Sequence, residues 1–144
     1  MVCTFFGHRE IPSDIYDNLK DTITDLVENQ GVTRFLVGHN GGFDRMVTGI
    51  LKELKGKYSH IRCETVISDM TVESELDTLF PEVLDSCPPR FAIDRRNRWM
   101  VERSDIVVAW VEHTRGGAYK FLSLAQCKKL KIINLAKKTE DKRL

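Results

Sequence analysis

The sequence predicts an α/β fold, a Rossmann-like open parallel sheet of about five strands with helices on both faces. Three observations carry this expectation. Apolar runs of strand length alternate with segments whose apolar residues recur at helical spacing. The runs IVVAWV at 106–111 and IINL at 132–135 are almost continuously apolar, the pattern of central parallel strands covered on both sides. Three of the runs pass directly into a turn carrying glycine. At 144 residues the chain suits one domain over 1–136, with an irregular insert at 68–90 and a charged tail at 137–144.

Val2 to Phe6 reads as a buried strand closed by Gly7. Ile11, Ile15, Leu19, Ile23, Leu26 and Val27 then follow helical spacing, with Ser13 placed to cap the first turn and Gly31 to end the segment. Phe35 to Val37 make a second strand, closed by Gly38. Met46, Val47, Ile50, Leu51 and Leu54 mark one face of a second helix that stops near Gly56. Ile61 to Ile67 alternate in part and read as a third strand. From Ser68 to Pro89 the pattern breaks down under acids and the prolines Pro81, Pro88 and Pro89. Within that stretch Leu76, Leu79, Phe80, Val83 and Leu84 suggest a short helix or two, and a connection this long is usually functional or flexible. Regularity returns with a helix over Ile93–Arg103, a strand over Ile106–Val111, a helix over Gly117–Lys129 and a last strand over Lys131–Leu135.

Composition restricts the function classes. Net charge is only +1, so there is no global attraction to nucleic acid or membranes, and any anion binding must be local. No apolar run approaches the ~20 residues of a membrane span. The start, MVCTFFGHRE, lacks a basic segment followed by a long apolar stretch, so a cytoplasmic location is expected. Cys3, Cys63, Cys87 and Cys127 form no CxxC pair, and no Cys or His shows ligand spacing. They read as small apolar residues or free thiols; no metal and no cofactor is expected. Neither a GxSxG elbow nor a Cys–His pattern marks a nucleophile. Asp69, Glu73, Glu75 and Asp77 read as a solvated acidic run, and His60 as plain surface.

Charge is most uneven at Arg90, Arg95, Arg96 and Arg98, four arginines within nine residues opposed only by Asp94. Guanidinium forks hold planar oxyanions by two-point contacts, so this cluster ahead of a buried strand suggests a phosphate or nucleotide site. The competing reading is a solvated helix face paired with Glu102 and Asp105. Ligands of open α/β sheets bind beyond the carboxyl ends of the strands. The turns there are Gly7-His8-Arg9, Gly38-His39-Asn40-Gly41-Gly42-Phe43-Asp44 and His113-Thr114-Arg115-Gly116-Gly117. In the second, glycines allow backbone N–H groups to approach an anion at a helix N-terminus, with Asp44 as cap or as acceptor of ribose hydroxyls. It is neither a P-loop nor GxGxxG, and structurally Gly41 and Gly42 can simply make a tight turn. His8 either serves the site or hydrogen-bonds a loop carbonyl; three turns converging on one edge favour the site. Candidate ligand residues are therefore Gly7, His8, Arg9, Gly38, Asn40, Gly41, Gly42, Asp44, Arg95, Arg96, Arg115, Gly116 and Gly117. Trp99 and Trp110 read as core, with Trp110 near a strand end where a base can stack.

FFGHR, VGHNGGFD, DRRNRWMVERSDIVVAW and RGGAYKF followed by IINLA resemble, in this order, the SLOG superfamily. More narrowly they are similar to its small stand-alone members in Firmicutes and their phages. The superfamily includes the cytokinin-activating LOG phosphoribohydrolases and the DprA DNA-processing proteins. The resemblance spans the first strand to the last. It implies a Rossmann-like domain that binds a nucleotide or nucleotide-derived ligand at the strand ends. It also implies a homo-oligomer, dimer or higher, paired through helices; Phe121, Leu122 and Leu124 share one helix and suit either that pairing or the core. Catalytic members cleave the N-glycosidic bond of a nucleoside monophosphate with an arginine-bearing helix followed by PGGxGTxxE. Aligned on Ser104-Asp105, Arg96 takes the place of that arginine, and Gly116-Gly117 match the glycine pair. Ala118-Tyr119-Lys120 replace xGT, and Ser123 stands where the acid belongs. Other members are proposed to sense nucleotide-derived signals, including ADP-ribose-type molecules in anti-phage defence.

The expectation is a binding module that senses or sequesters a nucleotide-derived small molecule, an ADP-ribose-type signal in phage defence or counter-defence being the case the resemblance implies. The alternative is a nucleotide-processing hydrolase in which Asp44 or Glu112 supplies the acid. DprA-like nucleic-acid binding is a weaker alternative, because a phosphate backbone demands a clear basic surface.

Overall fold

A computed structural model of the chain describes residues 1–136. The strands are β1 (Val2–Gly7), β2 (Arg34–Val37), β3 (Arg62–Val66), β4 (Asp77–Leu79), β5 (Ile106–Trp110) and β6 (Lys131–Asn134). The helices are α1 (Tyr16–Glu28), α2 (Gly42–Lys57), α3 (Pro89–Arg103) and α4 (Gly117–Cys127). The strands form one six-stranded parallel sheet of order β4-β3-β2-β1-β5-β6. The fold is thus α/β and Rossmann-like, with one strand more than the sequence predicts.

Alternation along the strands divides the core in two. Cys3, Phe5, Phe35, Val37, Ile106 and Val108 meet the apolar stripes of α1 and α2, which include Leu19, Ile23, Val47 and Leu51. Phe6, Leu36, Val66, Val107 and Ala109 point the other way, against Met100 and Val101 of α3 and Phe121, Leu122 and Ala125 of α4. Phe121 and Leu122 are therefore core residues. β1 and β5 pair from Cys3↔Ile106 to Gly7↔Trp110. The chain steps outward from β1 through β2, β3 and β4, then crosses back to β5 and β6 on the other side of β1. This reversal opens a crevice beyond the carboxyl ends of β1 and β5.

Several local expectations are corrected. The insert contributes β4 and a single 3-10 turn, Glu82–Leu84, rather than α-helix. β4 is only three residues long and carries the exposed Asp77 and Thr78, so it has none of the apolar signature of a buried strand. Pro81, extended at φ −63° and ψ 137°, separates strand from turn and prevents Leu79 to Leu84 from joining one helix. β6 lies at the sheet edge and is half-buried, not central. Ser13 makes no side-chain cap; it opens a 3-10 turn behind Pro12, and α1 starts at Tyr16. α3 begins earlier than expected, with Pro89 at its first position, where a missing N–H costs nothing. α4 stops at Cys127, and Lys129 turns the chain at φ 63°. The charged tail expected at 137–144 lies outside the described residues. No helix among the described residues is long and apolar enough to cross a membrane.

Candidate functional site

Arg96 is the anomaly around which the site is built. It lies on the inward stripe of α3 with Ala92 and Met100 and is only 1% exposed, as buried as Met100. Its Nε donates to Asn97 Oδ1 at 3.0 Å, and its Nη1 has no partner among the described residues. A buried cation without full pairing costs several kcal/mol, on the order of an entire ion's effective desolvation penalty. Burial accordingly pushes the guanidinium pKa down, and the Asp44 charge pulls it back up.

Asp44, in the first turn of α2, is the second buried charge of the site. Its Oδ2 accepts the Asn40 N–H at 3.0 Å. Burial raises its pKa from 3.8 to about 6, against the Asn40 N–H and the Arg96 charge, which both favour the carboxylate. Both groups crowd over Gly38: a Cβ there would lie 2.9 Å from Asp44 Oδ2 and 3.3 Å from Arg96 Cζ. Any side chain at 38 would displace the pair. Gly41 has φ +102°, a region closed to other residues, and turns the chain into α2 beneath Arg9. The Gly42 N–H donates to Arg9 O at 2.7 Å and the Phe43 N–H to His8 O at 3.4 Å. These amides are satisfied within the protein. The turn expected to cradle an anion therefore locks the first and second loops together and sets Asp44 in place; Gly42 serves as a buttress.

The third turn is fastened to His8. His8 Nε2 accepts the Glu112 N–H at 2.8 Å and the His113 N–H at 3.3 Å, so it binds amides rather than a loop carbonyl. Its ring stacks on His113 at 4.8 Å and meets the edge of Trp110 at 5.6 Å. Only an imidazole with an unprotonated Nε2 can accept these bonds. Burial, then the His113 charge, lower the His8 pKa, while Glu112 raises it. His8→Ala is expected to free the Glu112–Gly116 turn, accelerating amide exchange at Glu112 and His113 about tenfold, the scale of one lost hydrogen bond. Unchanged exchange would show that the turn holds itself.

These elements enclose a cavity of about 260 Å³ at the crevice beyond β1 and β5. Of the expected residues, Gly7, His8, Arg9, Asn40, Asp44, Arg96 and Gly117 line it. Asn40 Oδ1 is buried without a partner among the described residues, so two residues of this wall, Asn40 and Arg96, each carry a buried polar atom left unpaired. Gly117 and Ala118 present the N-terminus of α4, with no hydrogen bond on their N–H groups among the described residues. Gly38 and Gly41 lie on the far side of Asp44, lining a neighbouring cavity. Arg95 does not join the site: one residue round the helix from Arg96, it faces outward into a separate groove with Arg98 and Trp99. Gly116, at φ +93°, and the exposed Arg115 belong to the turn leading into α4 rather than to the cavity wall. Phe5, Phe6, Ile93, Asn97 and Met100 complete the wall and were not anticipated. Ile93 and Met100, at i−3 and i+4 from Arg96, share its face and could have been found once Arg96 was taken as inward-facing; Asn97, about 100° round the helix, could not. Among the described residues no three His, Cys, Asp or Glu side chains group as a metal site requires. No family model matches the chain, and no curated protein matches it.

Proposed function

We propose that the protein binds a phosphate-bearing, nucleotide-derived small molecule in the Arg96 cavity, sensing or sequestering it, as a small SLOG-type domain. The observation that carries this reading is the fully buried Arg96, a residue of the cavity wall whose Nη1 has no partner among the described residues. A phosphate oxygen there would satisfy the donor and neutralise the charge. The free amides at the start of α4 add a second anion contact on the positive end of a helix dipole. Asn40 Oδ1 supplies an acceptor for a hydroxyl or amine of the same ligand. At about 260 Å³ the cavity is smaller than most ligand sites and takes the phosphate and sugar of a nucleotide, the rest of the molecule lying outside it. The exposed apolar side chains of Phe91 and Ile93 on α3 and Tyr119 on α4 support pairing of copies. We place the protein in the cytoplasm on the same reading.

One observation favours turnover as a second reading. Asp44 lines the cavity with a pKa near that of a working general acid, whereas Glu112 and Ser123 lie outside its wall. Incubation with AMP, NAD, ADP-ribose and cyclic ADP-ribose, with free ligand measured by LC–MS before and after heat denaturation, separates the two. Depletion followed by intact release is the expected result. Free base or ribose phosphate would instead make the protein a hydrolase, and no depletion of any of these would discard the binding reading.

A further inference from the structure

His8 fastens a turn that has no other fastening among the described residues. Its own backbone is anchored, because its N–H donates to Trp110 O at 3.3 Å where the ladder between β1 and β5 ends. The turn at 112–116 is not anchored in that way. Every residue from Glu112 to Gly116 is exposed, and none belongs to either half of the core. Ahead of the turn, Val111 is clamped by Asn134, whose Oδ1 accepts the Val111 N–H at 3.1 Å and whose Nδ2 donates to Val111 O at 3.0 Å. Behind it, the Lys120 N–H closes the first turn of α4 on Gly116 O at 3.0 Å. Between these two points the hydrogen bonds among the described residues are those that Glu112 and His113 donate to His8 Nε2. Gly116, at φ +93° and with nothing within 4 Å of where a Cβ would lie, leaves the far end of the turn free to swing.

His39 makes the contrast. Its Nε2 accepts the Ser68 N–H at 3.2 Å in the same manner. The segment it ties is held besides by the Ile67 N–H on Leu79 O, by the hydrogen bond between Thr65 and Ser74, and by the Lys52–Glu75 pair. Loss of the His39 bond alone therefore frees little, whereas loss of the His8 bonds frees the whole 112–116 turn.

We propose that His8 is a proton-operated latch: with Nε2 unprotonated it holds the 112–116 turn beside the Arg96 cavity, and protonation of Nε2 releases the turn. A proton on Nε2 turns the acceptor of two N–H groups into a third donor facing them, so both bonds are lost together. The His113 ring, stacked at 4.8 Å, adds repulsion once both imidazoles are charged. The other charged groups around His8 are Glu112 on the turn, Arg9 in its own loop, and Asp44 of α2 and Arg96 of α3 on the same cavity wall. Burial, then the His113 charge, hold the His8 pKa below its ordinary value, and Glu112 opposes them. The latch is thus closed at neutral pH and opens in acid. Gly117 and Ala118, next along the chain, form part of the cavity wall, so an open latch leaves that wall unfastened. The latch belongs to the ligand-free protein and does not depend on what the cavity binds.

An NMR titration of the ligand-free protein from pH 7 to 4 tests it. The His8 ring and the Glu112 and His113 amides are expected to titrate with one midpoint. Protection of both amides, corrected for the intrinsic pH dependence of exchange, should fall about tenfold across that midpoint. His8→Gln keeps an acceptor at about the same reach that takes up no proton in this range, and is expected to hold protection constant. His113→Phe keeps a stacked ring without its charge, and is expected to retain the release at a higher pH. Constant protection in the parent, an amide midpoint apart from that of the His8 ring, or an equal fall in His8→Gln overturns the latch. Loss of the release in His113→Phe would give the switch to His113 and overturn it equally. Should His8→Gln not fold, the shared midpoint in the parent and the shift in His113→Phe decide the matter.

Discussion

At pH 5, where Asp44 holds its proton, Arg96→Met is expected to lose phosphate-ligand binding while keeping stability. Hydrogen bonds to charged groups contribute about 1.5–3 kcal/mol, which corresponds to roughly 10- to 150-fold in Kd. Methionine is unbranched and flexible enough to fill the stem's place between Met100 and the sheet. It also removes a buried cation whose Nη1 has no partner. Replacing a whole buried ion pair by apolar groups is often neutral or stabilising, whereas removing one partner destabilises by leaving the other charge uncompensated; below about pH 6 Asp44 holds a proton, so the substitution strands no charge there. Affinity falls while stability holds, and that contrast is diagnostic. An arginine held only for structure would lose stability on substitution; one held for a ligand loses affinity alone. Titration with ADP-ribose and thermal melting of the same variant read both quantities. A parent-like Kd would move the site elsewhere, and a large fall in Tm would make Arg96 a structural residue.

The fold was legible because α/β order is written in periodicity. β1, β2 and β5 are short apolar runs, β3 lies in a stretch that alternates in part, and α1 and α2 carry clean apolar stripes, so their existence could be read directly. β4 could not be. A three-residue polar edge strand gains its identity from the parallel register Thr65↔Thr78, which no local pattern encodes. The site was legible at the level of turns but not of side-chain direction. The arginine cluster reads as one feature in sequence, yet Arg95 and Arg96 diverge by about 100° round the helix, so one faces an outer groove and the other the core. Glycines of the second turn resemble an anion cradle in sequence. The Gly42 and Phe43 amides are instead taken by the carbonyls of Arg9 and His8, partners more than thirty residues away in the chain.

Asp44→Asn is expected to flatten the dependence of stability on pH between about 4 and 6. Asp44 titrates near 6 in the folded protein and near 3.8 when exposed. Between those values the folded state holds a proton that the unfolded chain has released. Stability from this group is therefore full below pH 3.8, falls as pH rises, and is lost above about 6. At 1.36 kcal/mol per pH unit the loss is about 3 kcal/mol. Asparagine cannot ionise, and its Oδ1 still accepts the Asn40 N–H. Other groups act in the opposite sense. Burial lowers the pKa of His8 and of His39, so their contribution is lost as pH falls below 6.5. The informative quantity is consequently the difference between parent and variant in urea denaturation from pH 4 to 7. A difference that does not change with pH would mean that Asp44 ionises as it would in water. The same carboxylate couples to the ligand. A phosphate at Arg96 adds negative charge beside Asp44 and favours its protonated form, so binding takes up a proton and weakens as pH rises through about 6. ADP-ribose isolates this effect, because its diphosphate bridge has no ionisation in that range. Loss of the pH dependence in Asp44→Asn would place the ligand's charge next to Asp44, and persistence of it would place the charge elsewhere.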